Sequence, residues 1–315
     1  MSEVKAVATR VGYGKALAEL GEKRDDFLVL DADLAAATQT GMFKKAFPER
    51  FYDCGIAEQN LMGIAAGLAA TGKKVFVSSF AMFAAGRAFE QVRNSIGYPH
   101  LHVIIGATHA GISVGEDGAT HQCCEDIALM RTIPGMTIIN PADETEAKLA
   151  VEAALDLDGP VYMRFGRLAV PVIFSDDYKF EVGKGVELKD GNDVTIIATG
   201  LMVNEALIAH DLLKEEGISA RVVNIHTIKP IDREIIIKAA KETGAIVTAE
   251  EHSVIGGLGS AVSDVVCEEI PVPVIKLGVN DVFGHSGPAV KLLDEFGLRG
   301  VNIAEKAKKA IALKK

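Results

Sequence analysis

The chain has no tryptophan and only four cysteines, Cys54, Cys123, Cys124 and Cys267. No two of them have the C-x-x-C spacing of a zinc or redox site, and the adjacent pair is poorly placed to bridge, so free, mostly buried thiols are expected. The histidines are scattered, with no H-E-x-x-H or similar ligand set, and no metal held by this chain alone is expected. Long apolar runs are missing as well. The longest, residues 61–70, is far short of the ~20 residues that a membrane span needs. Basic charge is in deficit: 33 Lys and Arg against 43 Asp and Glu leave a net charge of −10. That argues against an extended nucleic-acid surface and requires any anionic substrate to be met by locally placed cations. The opening residues, Met-Ser-Glu-Val-Lys-Ala-Val-Ala, carry neither an apolar h-region nor a cleavage-site pattern, which predicts a cytoplasmic chain.

What is present is the composition of an ordinary globular protein, 49% apolar and 24% charged over 315 residues, enough for about two domains. The first 167 residues alternate short apolar runs with longer periodic segments. Strands are predicted at 27–31, 51–53, 75–79, 101–105, 136–139 and 161–164. Helices are predicted at 9–21, before Pro48, at 56–71, over a stretch bearing Met82, Phe83, Gly86, Phe89 and Val92, and at 143–155. This alternation predicts a doubly wound, mostly parallel α/β sheet. The helix at 56–71 is small and apolar almost all round, so it reads as buried on most faces. Its Gly63 and Gly67 suit close packing at a subunit interface.

Residues 168–192 break the pattern with proline, glycine and clustered Asp, and read as a linker that admits an edge strand. A second, smaller α/β unit follows over 193–315. Its strands are predicted at 194–198, 220–224, 245–248 and 274–277. Its helices are predicted near 204–216, 232–242, 259–269, 288–296 and 301–312.

The candidate chemistry lies at the carboxyl ends of the first unit's strands, where open α/β sheets bind ligands. The connection from Gly106 to Asp126 is too long for an ordinary βα turn, and it brings His109, Asp117 and His121 together among glycines. Arg164 and Arg167 follow the sixth strand, and a His with an Arg at that end of a sheet suits phosphate or carboxylate. Glu58 opens the helix at 56–71 and fits two readings equally well. It either complements a helix N-terminus or is a buried carboxyl with a raised pKa. Phe80 and Phe83 are spaced to share a helical face. They read first as core aromatics and otherwise as a platform for a flat heterocycle. Gly256-Gly-Leu-Gly259 opens a helix after a strand but lacks the full G-x-G-x-x-G and a Walker lysine. It reads as close packing or a subunit contact, with anion binding second.

Taken together, Asp31-Ala-Asp-Leu34, Gly55-Ile-Ala-Glu-Gln59, Val114-Gly-Glu-Asp-Gly-Ala-Thr-His-Gln122 and Asn140-Pro-Ala-Asp143 resemble the pyrimidine-binding domain of transketolases and deoxyxylulose-phosphate synthases. Thr199-Gly200, Glu250-Glu251-His252 and Gly256-Gly-Leu-Gly259 resemble the C-terminal domain of the same enzymes. The resemblance covers essentially the whole chain. It implies that Glu58 hydrogen-bonds the pyrimidine N1′ of thiamine diphosphate, that Phe80 stacks on that ring with Phe83 lining its pocket, and that Asp33 lies near the thiazolium. It implies a proton-transfer or hydrogen-bonding role for His121, hydroxyl recognition by Asp117, and a sugar-phosphate grip by Arg10, His109 and Arg167. Arg164 has no settled counterpart.

The Gly-Asp-Gly motif with which this family holds Mg²⁺ and the diphosphate is absent. The resemblance therefore implies the C-terminal subunit of a split transketolase, working with a separately encoded N-terminal subunit that holds Mg²⁺, in an α₂β₂ assembly. Ala57 where many transketolases carry arginine, Val77 in place of a pocket aromatic, and Ala110-Gly111 after His109 depart from the family pattern. They bear on donor and acceptor choice. The alternatives are a deoxyxylulose-phosphate synthase-like or 2-oxoacid dehydrogenase β-like subunit acting on a 2-oxoacid, or a non-catalytic partner subunit.

Overall fold

The computed structural model describes residues 5–314. The first sheet has seven strands in the spatial order Thr227–Lys229, Thr137–Ile139, Val161–Arg164, Val103–Thr108, Lys74–Phe80, Phe27–Asp31 and Phe51–Asp53. All neighbours run parallel except Thr227–Lys229, which pairs antiparallel with Thr137–Ile139 at the edge. Helices on both faces explain why the inner strands are continuous apolar runs; in Lys74–Phe80 every residue after Lys74 is buried. The winding reverses beside Phe27–Asp31, which pairs with Phe51–Asp53 on one side and Lys74–Phe80 on the other. The crevice at such a reversal is where open sheets take ligands.

The second sheet runs Val274–Val279, Ile246–Ser253, Val194–Ala198, Ala220–Asn224 and Val186–Lys189. Its first four strands are parallel, and Val186–Lys189 is the antiparallel edge strand that the linker was expected to admit. Three short strands escaped the sequence reading. Ala6–Val7 pairs with Val170–Pro171 in a two-stranded sheet, and Thr227–Lys229 crosses from the second unit to close the edge of the first. Two- and three-residue strands have no period to detect, and their pairing is supplied by distant chain. The two units also share a core: Met130 and Ile133 from one pack in the same cluster as Ile228, Leu258 and Val262 from the other. Among the described residues no helix is long and apolar enough to cross a membrane.

Local chemistry explains several boundaries. Asp143 caps the helix Glu144–Ala154 by accepting the Glu146 N–H at 2.8 Å. Its other oxygen accepts the N–H groups of Ile173 and Phe174, pinning the linker. The N-terminus of the helix Leu258–Glu269 is taken by an internal carboxylate. Leu258 and Gly259 N–H donate to Glu250 at 2.7 and 2.8 Å, so the glycine cluster serves close packing.

Two helices differ from expectation. Glu58–Ala70 is buried on one face only: Leu61, Met62 and Ala65 point inward, while Ile64 is 38% exposed and space is open beside Gly63 and Gly67. Apolar composition all round does not say which face meets the rest of its own chain. The helix after Lys74–Phe80 is broken into π-helical turns, Met82–Arg87 and Val92–Gly97, around a short α turn, Phe89–Gln91. Its Ala88 N–H reaches back five residues to Phe83 at 3.1 Å. Such widened turns collect at functional sites.

Arg164 joins the units. Its guanidinium, with the side chain 4% exposed, pairs with the fully buried Asp126 at 2.9 Å, and it donates to Glu251 O of the second unit at 2.9 Å. The surrounding carboxylates outweigh the burial penalty and keep it charged. Replacing Arg164 by Met would strand the Asp126 charge in the core. The expected loss in urea denaturation is about 3–5 kcal/mol. A loss below about 1 kcal/mol would mean that water reaches Asp126 in the folded protein.

Candidate active site

Five strand ends and the start of the helix Thr9–Lys23 converge on one side of the first sheet. Gly55, at φ 71°, turns the chain from Phe51–Asp53 into the helix that begins at Glu58. This places the Glu58 carboxylate in a buried position, 3% exposed. Its Oε2 accepts from Arg87 Nη1 at 2.9 Å. The same guanidinium lies 4.4 Å from the centre of the Phe83 ring, a cation–π distance. Phe83 meets His121 edge to face at 5.2 Å, and Phe80 stacks on His109 at 3.9 Å. His109 Nε2 in turn lies 3.4 Å from Arg10 Nη1. A continuous path of contacts therefore runs from the buried carboxylate, across aromatic faces, to a pocket of cations.

The cationic end is strained electrically. Arg10 has its pKa lowered by burial and by neighbouring Arg167. Its buried Nε has no partner among the described residues, a donor left over for a ligand. His109 is pushed down to about 3 by burial and then by Arg10, Arg167 and His121. Arginine can only donate, so His109 Nε2 accepts and the ring proton sits on Nδ1, bonded to Thr108 Oγ1 at 2.9 Å. His109 also holds a left-handed backbone, φ 58°, which aims its ring back over Phe80. Arg167 donates to Val114 O and, at 3.1 Å, to Glu116. These cations answer locally the problem set by a chain of net charge −10.

Of the residues singled out from sequence, Glu58, Phe80, Phe83, His109, His121, Arg10 and Arg167 come together. Asp117 is exposed at the tip of the 106–126 connection, and no hydrogen bond or ion pair joins its side chain to the others. Asp33, at φ 61°, is exposed and donates its N–H to Asp53 at 3.0 Å. Its loop is shaped by Asp31, whose buried carboxylate accepts from Thr38, Thr40 and the Leu34 N–H and is pushed up to about 6 by burial. Arg164 lies in the core and takes no part. No group of three or more His, Cys, Asp or Glu side chains able to hold a metal occurs among the described residues. All four cysteines are free, and burial pushes the Cys123 thiol well up.

Sequence reasoning overlooked Arg87, although its spacing of four from Phe83 on a helix was a usable signal. It also left Gln122 and Glu251 without roles. A cleft of about 720 Å³ opens beside the cluster, between Met82, Phe83 and Arg87 on one side and Val282 and Phe283 on the other.

Two family descriptions match consecutive parts of the chain: "Transketolase, pyrimidine binding domain" over residues 5–172 and "Transketolase, C-terminal domain" over residues 183–303. The chain belongs to the transketolase family. Membership implies dependence on thiamine diphosphate. A relative from Methanocaldococcus jannaschii, named as a transketolase C-terminal section, is 54% identical over 300 residues, covering 94% of each chain. A 6-deoxy-6-sulfo-D-fructose transketolase subunit of a Clostridium species is 44% identical over 295 residues, 94% of this chain and 92% of that one. A solved structure described as a split gene transketolase, inactive beta4 tetramer, superposes with a TM-score of 0.91 at 54% identity, covering 99% of this chain and 100% of the other.

For this transketolase chain the environment of His109 makes a direct prediction. Ring-nitrogen NMR should show it neutral, with its proton on Nδ1, throughout pH 5–8. A midpoint near 6.5 would mean that Arg10 and Arg167 do not press on it. Because its folded pKa lies below the unfolded 6.5, unfolding takes up a proton there. Its burial therefore costs stability as pH falls from 6.5 toward 3.

Proposed function

We propose that the chain is the C-terminal subunit of a split transketolase. It transfers a two-carbon ketol unit between phosphorylated sugars at a site completed by a separately encoded N-terminal subunit, in the cytoplasm. The observation that carries the reading is the buried Glu58 carboxylate, linked through Arg87 to the Phe83 and Phe80 rings, with a cation pocket beyond them.

These residues fit the pyrimidine half of thiamine diphosphate. Arg87 engages only Oε2 of Glu58, leaving Oε1 to hydrogen-bond the ring nitrogen N1′. His109 covers one face of Phe80, so a pyrimidine would use the other face, with Phe83 closing the pocket. Asp33 would approach the thiazolium from the neighbouring strand end. When bound, the cofactor supplies both the carbanion-forming carbon and the base that unmasks it.

The rest falls to this chain's own side chains. His121, edge-on to both phenylalanines, would hold or move a proton on the substrate oxygen. Asp117 would read the hydroxyl next to the carbonyl of a ketose. Arg10, with its free Nε, would grip the substrate phosphate together with Arg167, while neutral His109 accepts from Arg10 and orients it. One relative is named for a sulfosugar substrate, and a sulfonate is another tetrahedral anion that such a grip would suit. The Mg²⁺ and the diphosphate are assigned to the N-terminal subunit of an α₂β₂ complex. The missing Gly-Asp-Gly sequence supports this, as does the relative described as an inactive tetramer of β chains.

The test is co-purification with a separately encoded transketolase N-terminal subunit and assay with thiamine diphosphate, Mg²⁺, ketose phosphates and pyruvate. Ketol transfer is expected only from the mixture, and Glu58→Gln should lower it by about 10²–10⁴-fold. Release of CO₂ from pyruvate without ketol transfer, or full activity of the isolated chain, would overturn the reading.

A further inference from the structure

The connection that bears Asp117 and His121 belongs to the first unit in sequence, but it is also tied at several points to the second. Ser113 N–H donates to Glu251 Oε1 at 2.6 Å, and Glu251 is buried under the loop with its carboxyl pushed up to about 7 by burial. Ser253 N–H donates to Cys124 O at 2.7 Å. Arg164 Nη2 bridges Cys123 O and Glu251 O at 3.3 and 2.9 Å. Between these ties, Glu116, Asp117, Ala119 and Thr120 stand exposed on the rim.

Gln122 fastens the middle. It is 5% exposed, and its Nε2 donates to Ile112 O at 3.1 Å, across the base of its own loop, and to His285 O of the second unit at 3.0 Å. A methyl group at Gly284 would collide with Gln122 Oε1, and one at Gly118 would collide with Ser286 Oγ. The segment 284–287 therefore lies against the loop, with no room for a side chain at Gly284 or Gly118. Gln122 is adjacent to His121 and five residues from Asp117, so its position is passed directly to both. Glu58 and Phe80 stand on other elements, and no hydrogen bond among the described residues joins them to Gln122.

We propose that Gln122 is a positioning residue: through its bond to His285 O the C-terminal unit sets the placement of Asp117 and His121. This alignment of the substrate wall is what that unit contributes to the site. The proposal rests on the roles given above to those two residues. Reacting groups displaced by about 1 Å lose up to 10²-fold in rate, so a loop tied at its base and cut loose in the middle would act through substrate and not through cofactor.

Two substitutions approach the contact from opposite sides. Gln122→Glu keeps the shape but removes the donor that faces the Ile112, Gly115 and His285 carbonyl oxygens; Gly284→Ala leaves the loop's own residues unchanged and drives a methyl group against Gln122 from the second unit. In the reconstituted complex each should raise the donor ketose KM about tenfold and leave the thiamine diphosphate Kd within about twofold of wild type. In the isolated chain, amide exchange over residues 111–122 should quicken in both variants. Unchanged donor KM in both variants, or donor KM and cofactor Kd worsening together, would overturn the proposal. If the wild-type complex transfers no ketol unit, the functional reading fails and exchange alone decides: unchanged protection in both variants refutes the clamp. Should one variant fail to fold, the other decides.

Discussion

A guanidinium at the end of a central strand has to find all its partners inside the protein, and the arrangement around Arg164 follows from that requirement. Asp126 supplies the opposite charge and is itself held by Tyr162 at 2.8 Å. The remaining donors reach Cys123 O, at the end of the 106–126 connection, and Glu251 O, in the second sheet. One buried cation thus fixes a strand end, a loop end and a strand of the other unit relative to one another. Such a pair adds little net stability over a well-packed apolar substitute, but its geometry is exacting, and removing one member leaves an uncompensated charge. The shared apolar cluster and the crossing strand Thr227–Lys229 bury what surrounds it.

The site is built as a gradient on this frame. At one end stands a buried carboxylate with one oxygen engaged, in the middle lie flat apolar faces, and at the other end cations crowd together. Crowding has a chemical use. Burial and the neighbouring Arg167 charge lower the affinity of Arg10 for protons, burial and both guanidiniums keep His109 neutral, and a bound anion would relieve the crowding. An acidic protein thereby presents a cationic pocket without a cationic surface. The π-helical turn after Phe80 supplies the link between the two ends: its wider turn carries Phe83 toward His121 and Arg87 toward Glu58.

The cleft beside the cluster lies where the two units meet, and it is bounded by residues 281–284, the last of which, Gly284, leans on the 106–126 connection. The outward face of the helix Glu58–Ala70, with Ile64 and the open space beside Gly63 and Gly67, continues the apolar character of the chain's surface next to Glu58. An apolar side chain exposed on the helix that Glu58 opens fits a wall whose opposite side is another molecule.

Sequence by itself determined the elements with a period long enough to read. The strands Phe27–Asp31, Phe51–Asp53, Val161–Arg164, Val194–Ala198 and Ala220–Asn224 stand at the expected limits, because runs of buried apolar residues between turn formers permit little else. It also determined which side of the first sheet carries chemistry, since polar and glycine-rich stretches follow strand ends, and it marked Glu58, His109 and His121 as residues of interest. Only tertiary structure decided the pairings of Ala6–Val7, Val170–Pro171 and Thr227–Lys229, which have no local signature. It also decided that Arg164 belongs to the core and not to a ligand, that Arg87 meets Glu58, and that Gln122 answers to the second unit. Each of these depends on a partner more than 25 residues away in the chain. The chemistry of such contacts is written in residue types, but the distances that realise it are not.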